Sequence, residues 1–293
     1  MRTGRELLVL ALIGCGGGSS GPSAPTEIIG RDWMVAAGSE TYKCISIQVD
    51  RDMYISDFQT ENPIGEHHTV LTVTDQLGGL GGTQLGEYDC SVLTLDLQML
   101  FASGVGTDTL AMPPGIALYV KKGQFLSLNL HLFNTTDNDI SAHSGILATL
   151  VDPVAPDHLA EMVFTGTFNI NVPPGQTVTT GGGCTFQKPA TLFTYWPHMH
   201  QHATHQTVTL TQGGVATKLH DEDYDFREQK NYPLAPMIQI QPGDSMRTDC
   251  TYTNTDATTV TFGDSSTAEM CFTGLYRYPK QALTLFDCTE GHP

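Results

Sequence analysis

The sequence predicts an all-β protein built of sandwiches, on three observations. Apolar residues alternate with period two in several short runs, turn-forming residues punctuate those runs, and no long stretch carries a convincing 3.6-residue apolar period. The first run, Cys44-Ile45-Ser46-Ile47-Gln48-Val49, puts Ile45, Ile47 and Val49 on one face. His68 to Val73 follows, with Val70 on the face opposite Thr69 and Leu71. The run from Phe125 to Phe133 sets Leu126, Leu128 and Leu130 on one side and Ser127, Asn129 and His131 on the other. Residues 207–210 and 258–262 are β-branched runs of the same sort. Pro113-Pro114-Gly115, Lys122-Gly123, Pro173-Pro174-Gly175, Gly213-Gly214 and Pro242-Gly243-Asp244 read as the turns between strands. Gly78 to Gly82 lacks the Gly-Lys-Ser/Thr ending of a phosphate loop, so it reads as a plain loop. Two prolines in Val151-Asp152-Pro153-Val154-Ala155-Pro156 interrupt the strand pattern and mark a domain boundary.

Composition narrows the class of function. The chain has 293 residues, 40% of them hydrophobic, with 31 acids against 14 bases and a formal charge of −17. That length suits one large domain or two of about 130 residues. The charge argues against nucleic acid or an anionic membrane surface as a partner, since both attract basic faces. Arg2 and Arg5 precede the apolar run Leu7 to Ile13, which is too short to span a bilayer. Leu12-Ile13-Gly14-Cys15 resembles the lipobox of bacterial lipoproteins, in which the signal is cut before a cysteine that then carries lipid. Residues 1–15 are therefore expected to be a signal segment and 16–26 a flexible linker. The resemblance implies a protein exported from a bacterial cell and lipid-anchored through Cys15, periplasmic or at the outer surface; the alternative is a plain secretory signal cleaved nearby, which also implies export. Past Cys15 remain Cys44, Cys90, Cys184, Cys250, Cys271 and Cys288, an even number that suggests three disulfides in an oxidising compartment. No CxxC pair occurs among them, and spacing alone leaves every pairing open.

Histidine placement carries the chemistry. In His198-Met199-His200-Gln201-His202 the rings fall at i, i+2 and i+4, and on a strand those side chains share a face. Two imidazoles are thus placed to close on one ion, with His202 and His205 as spares. His67 and His68 are adjacent, so sharing an ion requires a bulge or strand end to re-aim one ring; Pro63-Ile64-Gly65 supplies an irregular approach. His131 lies on the polar face of its run. Zinc is possible for three histidines, and the residues alone name only a metal.

The ordered set His67-His68-Thr69-Val70, Leu128 to Asn134 with His131, His198-x-His200 and Ala268-Glu269-Met270-Cys271-Phe272 resembles the copper type II ascorbate-dependent monooxygenases. This is the family of peptidylglycine α-hydroxylating and dopamine β-monooxygenases, and the likeness runs from about Cys44 to Cys288. It implies two antiparallel jelly-roll-like sandwich domains packed side by side across a wet cleft, over 27–154 and 155–293. His67, His68 and His131 would hold an electron-transfer copper; His198, His200 and Met270 would hold the copper where O2 reacts with the substrate. It also implies the pairings Cys44–Cys90, Cys184–Cys288 and Cys250–Cys271. The implied reaction is hydroxylation of a C–H carbon of a small molecule by O2, with two single electrons from ascorbate or another reductant. Two positions depart from the peptide-amidating branch: Trp196 stands where it has a substrate-gripping arginine, and Gly274 where it has a tyrosine. Peptide amidation is therefore not expected, and Trp196 with Phe272 suggests an apolar or aromatic substrate. The rival readings are a non-catalytic copper-binding or copper-delivery lipoprotein on this scaffold, and a single-metal hydrolase or cupin-like iron enzyme.

Overall fold

The computed structural model describes residues 24–61, 63–78, 83–90, 98–104, 109–263, 265–282 and 284–291. The expected signal segment with Cys15, most of the linker, and residues 79–82 of the glycine-rich loop lie outside the described residues. The period-two runs form strands. Ten come before residue 151: β1 (Thr26–Val35), β2 (Glu40–Gln48), β3 (Met53–Thr60), β4 (Glu66–Thr74), β5 (Gly86–Asp89), β6 (Gln98–Gly104), β7 (Thr109–Ala111), β8 (Ala117–Val120), β9 (Phe125–Phe133) and β10 (Ile140–Leu150). A 3-10 turn at Pro156–His158 follows, at the proline-interrupted segment. Then come β11 (Leu159–Thr167), β12 (Asn171–Val172), β13 (Thr177–Thr185), β14 (Ala190–His198), β15 (Ala203–Gln212), β16 (Val215–Asp223), β17 (Tyr232–Ile240), β18 (Ser245–Thr253), β19 (Val260–Thr261), β20 (Cys271–Tyr278) and β21 (Cys288–Glu290). Among the described residues there is no α-helix.

The pairing is antiparallel almost throughout. One five-stranded sheet, β5-β2-β9-β4-β6, uses strands of the first half alone; one four-stranded sheet, β13-β18-β15-β16, uses the second half alone. A third sheet runs β1-β10-β3-β8-β11-β20-β14-β17 and joins the halves where β8 lies parallel to β11, Ala117 against Leu159. Sandwich packing follows from the alternation. Leu126, Leu128 and Leu130 of β9 are fully buried in a core that also takes in Ile55 and Phe58 of β3 and Ile146 of β10. Each such side chain contributes about 1.5–3 kcal/mol by leaving water. The same core continues into the second half through Phe164, Trp196, Met270 and Phe272. The three disulfides form as the resemblance implies: Cys44–Cys90, Cys184–Cys288 and Cys250–Cys271.

Two local expectations change. The run at 258–262 yields only the two-residue β19, because the Asn254 amide donates to Val172 O and Thr258 O, both at 2.8 Å, and turns the chain. β14 ends at His198 rather than continuing through His202, so His200 lies just beyond the strand and His202 in a turn.

Candidate metal centres

The two neighbouring inner strands that hold the first cluster are aligned by a bulge. β4 pairs with β9 in a register that shifts between Glu66 and His68, with His68 opposite His131. The extra residue, His67, is thereby re-aimed so that neighbouring rings converge. Glu66, 8% exposed, fixes the start of β4 by accepting from Thr69 Oγ1 at 2.6 Å and from Ser144 Oγ. Burial raises the pKa of its carboxyl despite those bonds. His67, His68 and His131 each bring one ring nitrogen within 4.8 Å of the others. The nitrogens in closest approach are Nδ1: 3.1 Å between His67 and His68, and 3.3 Å between His131 and His68. His131 Nε2 donates to Glu40 Oε1 at 2.6 Å, so its neutral ring offers the Nδ1 lone pair to the cluster. Lone pairs crowded this closely repel unless a proton or a cation sits among them, and three imidazole nitrogens fit a borderline-soft ion such as copper. Tyr42 stacks on the outer face of His131, with centroids 4.5 Å apart.

The second cluster lies at the end of β14. The rings of His198 and His200 stand nearly perpendicular, at 87°, with centroids 5.3 Å apart. His198 Nδ1 donates to Gln229 Oε1 at 3.0 Å and His200 Nδ1 donates to Ala268 O at 3.1 Å. Both Nδ1 atoms are thus occupied, and the free lone pair is on Nε2 in each ring. The chain leaves the sheet here because the carboxylate of Glu269, fully buried, accepts the backbone N–H of His200 at 3.0 Å and of His202 at 2.7 Å. Met270 follows directly and is buried; its carbonyl accepts from Tyr252 Oη at 2.7 Å, and the Cys250–Cys271 bridge secures the next residue. The residues present therefore fit the implied copper: two imidazoles, and a thioether on a segment fastened to His200.

Burial keeps these rings neutral. Desolvation is the leading cause in all five and holds His67 at about 4, His198 at about 3 and His200 at about 4; His68 lies well below the usual imidazole value and His131 below it. A neutral imidazole is the form that ligates a metal. The spare histidines do other work. His202 pairs with Asp256 at 3.0 Å and Glu269 at 3.4 Å, and the more exposed His205 with Asp221 and Asp223, both at 3.1 Å.

Four residues escaped the sequence reading. Glu40 backs His131, Gln229 backs His198, Glu269 shapes the turn, and Phe226 spans the clusters, stacked on His67 at 4.7 Å and edge-on to His200 at 6.2 Å. Phe226 bridges the expected cleft at this point. It and Gln229 sit in a charged connection between β16 and β17 that matches no motif; Glu269 was visible only as a neighbour of Met270. Trp196 and Phe272, expected near the site, are there: Trp196 stacks on His198, and Phe272 pairs across from it. Gly274 has a packing reason, since a Cβ there would overlap the methyl group of Met162.

Comparison with known proteins bears on the family resemblance. The C-terminal domain model of the copper type II ascorbate-dependent monooxygenases matches residues 158–292. DBH-like monooxygenase protein 1 of Gallus gallus is 27% identical over 207 residues, 64% of this chain and 34% of that protein. MOXD1 homolog 1 of Drosophila melanogaster is 38% identical over 87 residues, 28% of this chain and 12% of that one. Peptidyl-glycine alpha-amidating monooxygenase A of Xenopus laevis is 24% identical over 291 residues, 94% of this chain and 30% of that protein. The chain thus spans about a third or less of the length of these relatives. Among solved structures, the major capsid protein P2 of bacteriophage PM2 overlaps at a TM-score of 0.35 and 10% identity, covering 87% of this chain and 100% of that one, too weak a likeness to carry an argument. The second half of the chain thus matches the C-terminal domain of the copper type II ascorbate-dependent monooxygenases, and relatives carrying monooxygenase names align across nearly the whole chain.

Proposed function

We propose that this chain is a dicopper monooxygenase, hydroxylating a C–H carbon of a small organic molecule with O2 and two single electrons from ascorbate or another reductant. The observation that carries this reading is a pair of neutral, buried histidine clusters, each with a different free nitrogen and its own supporting acceptor. His67, His68 and His131 would hold the electron-transfer copper; His198, His200 and Met270 would hold the copper at which the substrate reacts. Copper there supplies one-electron redox chemistry and activation of O2. The chain's own contribution is orientation and water exclusion. Glu40, Gln229 and Ala268 O fix the ring tautomers, Glu269 positions His200, and Trp196, Phe226 and Phe272 give the site apolar walls.

The reading of two copper domains, 27–154 and 155–293, is supported by the sheet that carries the first cluster, built from β2, β4, β5, β6 and β9 alone. The family match beginning at 158 agrees with that division. Three disulfides support export to an oxidising compartment; anchoring through Cys15 as a bacterial lipoprotein rests on its lipobox-like sequence.

Copper counting with ascorbate-driven oxygen consumption tests the function. The native chain should bind two coppers and consume oxygen, and Met270→Ala should lose most of that consumption. Two coppers with no oxygen use in the native chain would instead indicate a copper carrier. One ion, indifferent to changes at His67 and His131, would end the dicopper reading.

A further inference from the structure

Resting on that reading, the connection between β16 and β17 bears on how the two centres are held relative to each other. Their histidines come from different sheets: His67, His68 and His131 lie on β4 and β9 of the five-stranded sheet, and His198 ends β14 of the long one, with His200 just beyond. Among the described residues, ring contacts join the histidines within each cluster, and none joins a histidine of one cluster directly to a histidine of the other. Phe226 meets both sides. Its ring stacks on His67, with centroids 4.7 Å apart and planes 28° apart, and meets His200 edge-on at 6.2 Å and 79°. The span from His67 to His200 is therefore no longer than those two distances laid end to end, and a half-buried phenyl ring joins its ends.

The chain fixes that ring on three sides. Asp225 builds the turn that presents it: its carbonyl accepts from Glu228 N–H at 2.9 Å, and its carboxylate takes the Arg227 backbone N–H at 2.9 Å and the Arg227 guanidinium at 3.0 and 2.6 Å. Upstream, Tyr224 Oη donates to Met199 O at 2.8 Å and accepts from Met199 N–H at 3.0 Å, which ties the segment to the residue between His198 and His200. Downstream, Gln229 accepts from His198 Nδ1 at 3.0 Å. It also packs on the end of β6, where a Cβ built on Gly104 would lie 3.1 Å from Gln229 Cβ and 3.7 Å from His68 Cβ. By sequence the segment belongs to the second half, yet Phe226 and Gln229 both rest against the first. Asp225, Arg227 and Glu228 are exposed, while Phe226 and Gln229 turn inward. Held at both ends, the ring is a spacer rather than a swinging lid.

We propose that Phe226 is a positioning residue for the dicopper site: its ring spans the clusters at His67 and His200, holds the two centres at one separation and keeps water from between them. Single electrons must pass from the first centre to the second, and such transfer weakens steeply with distance. A displacement of about 1 Å at a reacting site can cost about a hundredfold in rate. A rigid ring packed on both sides resists approach as well as separation, because interiors this dense have little room to give. The other contact between the two sides, Ser266 Oγ to Glu40 Oε1 at 3.3 Å, is a single long hydrogen bond and leaves the spacing to the ring.

The test uses the full chain carrying two coppers, both oxidised to Cu(II), and reads the magnetic dipolar coupling between them by pulsed electron paramagnetic resonance. The native chain should give one narrow distribution of copper–copper distances. Phe226→Ala should broaden that distribution and lengthen its mean while both coppers stay bound, and ascorbate-driven oxygen use should fall by about 10–100-fold. Phe226→Tyr keeps the ring and should keep the native distribution. Asp225→Ala, an exposed change that touches no histidine, should broaden it to a lesser degree, and it decides the matter where Phe226→Ala does not fold. An unmoved distribution in the deciding variant, a Tyr variant as broad as the Ala variant, or loss of copper from either centre in Phe226→Ala would each overturn the proposal. So would a broadened distribution with undiminished oxygen use. Copper counting and oxygen use by the native chain separate the two readings. A chain with two coppers and oxygen use but an indifferent distribution loses only the Phe226 assignment; one whose distribution responds but which consumes no oxygen loses only the enzyme; one that binds a single ion loses both.

Discussion

The two histidine clusters are built from the same residue type yet present opposite ring nitrogens. In the first, a carboxylate takes Nε2 of His131 and the Nδ1 atoms gather; in the second, a carboxamide and a backbone carbonyl take both Nδ1 atoms and Nε2 is left free. The acceptor behind a ring, more than the ring itself, decides which lone pair is offered. It also sets the ring's donor strength. A carboxylate behind imidazole makes it more basic, which suits a copper that cycles between both oxidation states. Neutral acceptors and a thioether leave the second site softer, which favours Cu(I).

The difference breaks most sharply at Glu269, whose buried carboxylate holds two backbone N–H groups around His200; the first cluster gets its shape from a strand bulge instead. Glu269→Ala should weaken copper at the second centre by about 10–100-fold and leave the first unchanged. Competition with a chelator, followed separately at each centre, measures this. Equal losses at both would mean that the two clusters are not independently built.

Glu40→Gln probes the other side with a smaller effect. Replacing the carboxylate with an amide keeps an acceptor for His131 Nε2 but removes its charge. Glu40 is partly exposed, with 38% of its side chain accessible, and water screens it, so about a tenfold loss of Cu(II) affinity at the first centre is expected, with little change for Cu(I). Chelator competition in each oxidation state measures both; an equal loss in the two states would refute the charge argument. Ser266 Oγ also donates to Glu40, at 3.3 Å, so the second centre should be checked in the same variant.

Much of this was legible in the sequence, and the reason is local. Alternation along β9 reports a buried face, and that physics depends on the strand alone, so Leu126 to His131 were placed correctly. For His67 and His68 to share an ion, their adjacency required a bulge or a strand end, and a bulge is there. What could not be read depends on contacts distant in sequence. Gln229 reaches His198 from 31 residues away and Glu40 reaches His131 from 91 residues away. The end of β14 was misplaced because histidine alternation continues past His198, while the groups that bend the chain belong to Glu269, 69 residues on from His200.

Acid sensitivity of the metal-free chain sharpens the comparison last and with the smallest effect. Each of the five clustered histidines has a folded pKa below its unfolded value of about 6.5, with burial as the leading cause. Below that value the unfolded chain binds more protons than the folded one, so stability falls as pH drops toward 4 and is level in this respect above 7. Glu66 and Glu269, raised by burial, act in the opposite sense: their contribution is present at low pH and is lost as pH rises from about 4.5, for Glu269 up to about 7. The solvent-facing pairs of His143 and His205 also favour the acid side, but their surface ion pairs are weak and screened. The five imidazoles should prevail, so the melting temperature of the chelator-treated chain should drop by several degrees between pH 7 and pH 5. His198→Gln should flatten this slope over a range reaching about one pH unit further into acid than His67→Gln, since burial holds their rings at about 3 and about 4. A melting temperature that rises on acidification would mean that the rings are not buried in neutral form, and the contrast between His198 and His67 would fall with it.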